Sequence, residues 1–192
     1  MLIRTRESRA GLLTKVYRSV AGLWFPEFDH FAAKHRNVLA VLGTPEGTRL
    51  IPASNIVTNA GDLHYAQRAV AETLTNAFGI HEMCTAGTPG KAATRGSFTP
   101  VTASQKATAA TYPLRNDADG DNTGAGADIV THLVSYTTGD WDSASEITHG
   151  IITNSSPGGS EPILTGYAFA TGFTKTASDT LKVFVNHEMS GQ

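Results

Sequence analysis

The sequence predicts a mainly β protein: an antiparallel β-sandwich or barrel-like body preceded by a helical or extended N-terminal arm. Three observations lead there. Bulky and small residues alternate with a period of two from Ile163 to Phe173, and again from Leu181 to Glu188, as they do in strands with one buried face. The apolar runs are separated by clusters of Gly, Pro, Ser, Asp and Asn rather than by regular helical stretches. The first 25 residues behave differently, with apolar side chains at three- and four-residue steps in a basic context.

Bulk properties narrow the possibilities. A chain of 192 residues, 40% hydrophobic, suits one cored domain with an appendage. Charged residues make up only 17%, a composition that leans towards turn-rich β structure. The formal net charge of -2 is unevenly spread. Residues 1–36 carry seven Lys or Arg and three Asp or Glu, and the remainder carries eight and fourteen. A basic head on an acidic body is expected to meet something negative. The lone Cys84 excludes an intramolecular disulfide and fits a reducing cytosol, with the thiol acting as a small buried hydrophobe. Val38 to Leu42 is the longest apolar run and is too short to span a bilayer, so no membrane association is expected. Lys15 and Arg18 interrupt the apolar stretch that a secretory signal would need.

Taken in order, residues 1–25 form an amphipathic segment on which Leu12, Val16, Val20 and Leu23 recur and Arg4, Arg6, Arg9, Lys15 and Arg18 supply charge. Pro26 ends it, and Phe25, Phe28 and Phe31 make an aromatic cluster. The plain reading is a helix lying on the body. The functional reading is a docking arm in which Leu12, Val16, Trp24, Phe25 and Phe28 bind a partner. The boundary falls in the Gly43 to Thr48 turn, giving an arm over 1–45 and a β-rich body over 46–192.

Within the body, residues 49–58 read as extended. Asp62 to Leu74 reads as a helix from Leu63, Ala66, Val70 and Leu74, although LHYAQRAV also alternates as a strand does. Asn76 to Cys84 is a strand with His81 and Met83 on one face. Residues 85–97 form a Gly/Thr/Ala loop, and 98–128, poor in apolar residues, read as an interaction loop or exposed arm. Residues 129–138 and 147–153 are strands. Residues 163–173 and 181–188 are expected to pair as a hairpin through the connection KTASDT.

The chemistry-bearing candidates are few. Asp117, Asp119, Asp121 and Asp128 stand at positions 1, 3, 5 and 12 of an EF-hand-like loop, a spacing of hard oxygen ligands that suits calcium. Position 6 is Asn122 instead of Gly and position 12 is Asp instead of Glu. The plain reading is an acidic turn whose Asp and Asn side chains support tight bends. No other cofactor is expected. His132, His149 and His187 each fall on a strand and are candidates to converge, without the spacing of a ligand pair such as HxH or HExxH. Asp140 and Asp142 flank Trp141 but sit on one turn, where solvation explains them. There is no GxSxG, Walker loop or GxGxxG, and a non-enzymatic role is expected.

Three passages carry a resemblance: residues 57–101, VTNAGDLHYAQRAVAETLTNAFGIHEMCTAGTPGKAATRGSFTPV; residues 128–153, DIVTHLVSYTTGDWDSASEITHGIIT; and residues 163–188, ILTGYAFATGFTKTASDTLKVFVNHE. Their order resembles that of small structural proteins of tailed-bacteriophage virions, over residues 55–188. The resemblance implies a non-enzymatic particle component, made in the host cytoplasm and located in the virion. It carries over no functional residues. Together with the arm it suggests a capsid decoration or cement protein, forming a homo-oligomer on the major capsid protein or other virion proteins. A tail or neck ring or fibre-base protein is the alternative. A carbohydrate-binding module using Trp141, Tyr136 and the Asp-rich loop is the alternative of another class. Nucleic-acid binding by the basic arm ranks behind these, because no DNA-reading motif is present.

Overall fold

Alternation along the strands decides which side of the sheet becomes core. The computed structural model describes residues 38–116, 129–154 and 158–188. Their elements are β1 (Val38–Thr44), β2 (Gly47–Val57), helix α1 (Asn59–Ala69), β3 (Phe78–Gly87), β4 (Phe98–Pro100), β5 (Lys106–Ala107), β6 (Leu114–Asn116), β7 (Ile129–Tyr136), β8 (Ile147–Asn154), β9 (Ile163–Phe173) and β10 (Thr180–Glu188). All ten strands join one antiparallel sheet in the order β4-β3-β8-β9-β2-β1-β10-β7-β6, with β5 on the outer edge of β3. The sheet curls into a half-barrel, so the expected β body is present.

The concave face is apolar. Val38, Ala40 and Leu42 on β1 meet Leu181, Val183 and Val185 on β10, with Val134, Tyr136, Tyr167 and Phe169 in the same buried cluster. Burying side chains of this size stabilises by about 1.5–3 kcal/mol each, against the entropy of ordering the chain. The convex face is covered in two places. Leu39, Leu133 and Phe184 pack under Ala109 and Tyr112, and Cys84, Phe98, Ile151 and Ile163 pack with Ala93. Residues 98–116 are therefore a strap rather than an exposed loop. Thr108 donates its N–H to the Gly79 carbonyl on β3, and the next residue, Ala109, donates to Leu133 on β7. Two successive backbone bonds thus tie together the two sides of the curled sheet.

Two boundaries differ from the sequence reading. The expected hairpin between residues 163–173 and 181–188 is absent: β9 pairs with β2 and β8, and β10 pairs with β1 and β7. The β1–β2 hairpin is inserted between them. Three strand spacings amount to about 14 Å, and six residues reach up to about 20 Å. The connection can therefore cross the hairpin's end as readily as it could fold straight back. The turn read as an arm–body boundary is the β1–β2 turn, and Val38–Thr44 lies at the centre of the sheet. Pro52 has no N–H to give a ladder, and β2 stops pairing with β9 beside it, at Ala53.

α1 follows β2 directly. Thr58 is its N-cap, the side chain accepting from the Gly61 N–H at 3.1 Å. Gly61 is required where the first turn meets β9, because a Cβ there would overlap the Leu164 carbonyl oxygen. Among the described residues no helix is long and apolar enough to cross a membrane.

Candidate functional site

α1 covers one end of the half-barrel, and beneath it the interior changes from apolar to polar. The inward positions of β7 run His132, Val134, Tyr136, and those of β10 run Val183, Val185, His187. The antiparallel register pairs Val185 with His132 and sets both histidines at the helix end. His81, on the inward face of β3 beside Met83, joins them there. From above, Tyr65 of α1 inserts its hydroxyl between two rings, 2.5 Å from His187 Nδ1 and 3.1 Å from His132 Nε2. The two imidazoles lie 5.3 Å apart, centroid to centroid. His64 contacts the Tyr65 and Phe78 rings edge-on and bonds the Asn76 carbonyl through Nδ1 at 3.2 Å. His81 Nε2 reaches Thr108 Oγ1 at 3.2 Å.

One hydroxyl between two ring nitrogens fixes the proton order. His187 Nε2 is buried without a hydrogen-bond partner. Placing the ring proton on Nδ1 leaves a bare lone pair at Nε2 instead of a stranded donor. His187 Nδ1–H then donates to the Tyr65 oxygen, and the Tyr65 O–H donates to His132 Nε2. The link to His132 requires that ring to be neutral, because a protonated Nε2 cannot accept. Burial lowers the pKa of His132 to about 4 and that of His81 to about 3, and moves His187 well below its usual value. The neighbouring histidines add to the shift, and burial raises the Tyr65 hydroxyl. Among the described residues no group of three or more His, Cys, Asp or Glu is arranged to hold a metal ion. The titratable rings of this site can respond to protons.

The opposite end is closed by the β7–β8 connection. Trp141 is only 6% exposed there, and its ring meets Tyr136 edge-on at 5.5 Å. Lys175 is buried beside it, its Nζ donating to the Trp141 carbonyl at 3.0 Å and the Thr176 carbonyl at 3.1 Å, and lying 5.4 Å over the Trp141 ring. Burial lowers the Lys175 pKa, and the carboxylates of Asp140, Asp179 and Asp142 oppose that shift. A third polar group lies on the convex face: Glu82, fully buried, accepts Nε and Nη2 of Arg95 at 2.7 and 2.9 Å and Nε2 of Gln105 at 2.6 Å. This two-pronged pairing fastens the 91–98 segment to β3.

The residues singled out from sequence fare differently. Leu12, Val16, Trp24, Phe25 and Phe28 lie outside the described residues, as do Asp117, Asp119, Asp121 and Asp128. Of the three strand histidines, His132 and His187 converge, whereas His149 stands apart against Phe98, its Nδ1 2.7 Å from the Thr148 hydroxyl. Trp141 and Tyr136 are interior residues and offer no face to a sugar. Asp140 is held by Lys106 at 2.7 Å, which lowers its pKa, while Asp142 is exposed. Sequence reasoning did not single out Tyr65, and His81 was read only as a strand residue. His81 shares its strand face with Met83, an alternation that marks it as inward-facing. No protein-family model matches the chain, and no curated protein or solved structure matches it.

Proposed function

We propose that the chain is a non-enzymatic structural protein of a tailed-phage particle, acting as a capsid decoration or cement protein on the head shell. The resemblance of residues 55–188 to small virion proteins motivates the reading. One feature of the fold supports it: residues 1–37 lead directly into β1, which is paired along both edges, Val38–Gly43 with β10 and Val38–Thr44 with β2. An attachment segment joined to the middle of a sheet passes load into two ladders at once. One rooted in an edge strand would pull on a single ladder. The basic, amphipathic pattern of residues 1–25 suits an acidic shell surface, and burial of its apolar stripe against a partner would couple ordering to attachment. Many copies then add avidity from modest contacts.

The test is the copy number in purified particles, measured by quantitative mass spectrometry against the major shell protein, together with removal of residues 1–36. Decoration predicts roughly hundreds of copies per particle, and a tail or neck ring roughly a dozen or fewer. The truncated body is expected to stay folded and to lose attachment to particles. Absence of the chain from particles would overturn the reading.

A further inference from the structure

We propose that Tyr65, held between His132 and His187, is an acid-released latch that fastens α1 over the open end of the half-barrel. The geometry carries this. At its N-terminus α1 is tied to the body by the backbone, Thr58 N–H to the Leu164 carbonyl and Asn59 N–H to the Lys91 carbonyl. In its first turn Asp62 pairs with Lys91 at the exposed side, and further along His64 and Gln67 bond to the helix's own following loop, at Asn76 and Thr75. Tyr65 is the residue beyond the N-cap whose side chain reaches across to strands, on β7 and β10 together. Among the described residues the helix thus has a backbone hinge at Thr58–Asn59 and one side-chain polar fastening to the strands, and that fastening is built from titratable groups.

A proton added at either ring has nowhere to go. On His187 it must sit at the buried, partnerless Nε2. On His132 it occupies the nitrogen that accepts the Tyr65 hydroxyl, and turns both rings into donors towards one oxygen. Among the described residues the surrounding groups do not offset this charge. α1 contributes His64 and Arg68, β3 contributes His81, and β7 and β10 contribute the two rings themselves; the charged states of His64, His81 and His132 oppose one another, and Arg68 opposes that of His64. Asp62, on α1, is paired with Lys91 on the exposed side. Glu82 of β3 is engaged by Arg95 on the convex face.

The direction in pH follows. The closed form holds these rings below their ordinary value of 6.5, with His132 at about 4. Between those values the open form binds more protons, so acid favours opening. Above about 6.5 both forms are neutral and the latch is at full strength. Neutral histidines buried with no carboxylate beside them among the described residues are an arrangement that a fall in pH disrupts from within. This inference does not rest on the assembly role proposed above.

Hydrogen exchange followed by mass spectrometry on the full chain at pH 7.5 and pH 5.0, corrected for intrinsic exchange rates, tests it. The amides of residues 61–70 are expected to lose at least about tenfold in protection at pH 5.0 while β1, β9 and β10 keep theirs. Tyr65→Phe is expected to show that loss already at pH 7.5, with a further loss at pH 5.0 because both buried rings remain. His132→Gln, which removes one titrating ring, is expected to move the opening to lower pH. Unchanged α1 protection at pH 5.0 would overturn the proposal. So would loss in step with the central strands, or a Tyr65→Phe variant with wild-type α1 protection at pH 7.5. If a variant fails to fold, the comparison of α1 with the strands in the wild-type chain still decides.

Discussion

The two ends of the half-barrel solve the same problem with opposite chemistry. Each must cover an opening in a curled sheet and satisfy polar groups that meet the apolar interior. At the α1 end the cover is a helix, and the polar groups are neutral rings joined by one hydroxyl. At the other end the cover is the β7–β8 connection, filled by Trp141, and the polar group is an ammonium bonded to two carbonyls and lying over the indole. A lysine is already charged at neutral pH, so acid adds nothing to it, whereas imidazoles change state between neutral and mildly acidic conditions. On the proposed latch, burial alone does not set acid sensitivity; what matters is whether the buried group enters the fold charged or neutral.

Three substitutions at the tryptophan end sharpen the contrast, in falling order of effect. Trp141→Ala removes the side chain that fills the opening and the face on which Lys175 rests. Denaturant unfolding is expected to show a loss of about 3–5 kcal/mol, and a loss below about 1 kcal/mol would mean that the connection does not close this end. Asp179→Ala is next. Its carboxylate accepts from the N–H and hydroxyl of Thr176 at 2.7 and 2.9 Å, ordering the turn that carries Lys175. A loss of about 1–3 kcal/mol is expected by the same measurement. Lys106→Ala should be smallest, below about 1 kcal/mol, because its pair with Asp140 is partly solvated. The same unfolding curves recorded in 1 M salt should show that small difference shrinking further.

Much of this architecture could be read before the structure, and the limits are physical. Period-two alternation located β7, β8, β9 and β10 to within a few residues, because a strand with one buried face writes that pattern into its own sequence. Alternation does not name a strand's neighbour. The residues from Ile163 to Glu188 were therefore read as a hairpin, when β9 and β10 each bond to other strands. Composition misled in residues 98–116: a strap with little apolar content still covers apolar surface when Ala109 and Tyr112 are set on Phe184 and Leu133. His132, His149 and His187 were candidates to converge because each falls on a strand, and His132 and His187 do so while His149 does not. Tyr65 came from a helix far away in sequence, and Glu82 with Arg95 from a strand and a loop; no local spacing announces either meeting.

The position of β10 has a consequence for the making of the protein. β10 bonds to β1 and to β7, so the first described strand waits for the last. A ribosome that has released β1 through β9 has delivered the material for most of the core but not the piece that joins its two sides. Until residues 180–188 emerge, β1 and β7 each present an unsatisfied edge, the condition in which nascent sheets are most open to pairing with the wrong chain. Truncation just before Thr180 should therefore behave less like a shortened protein than like one arrested before its final step.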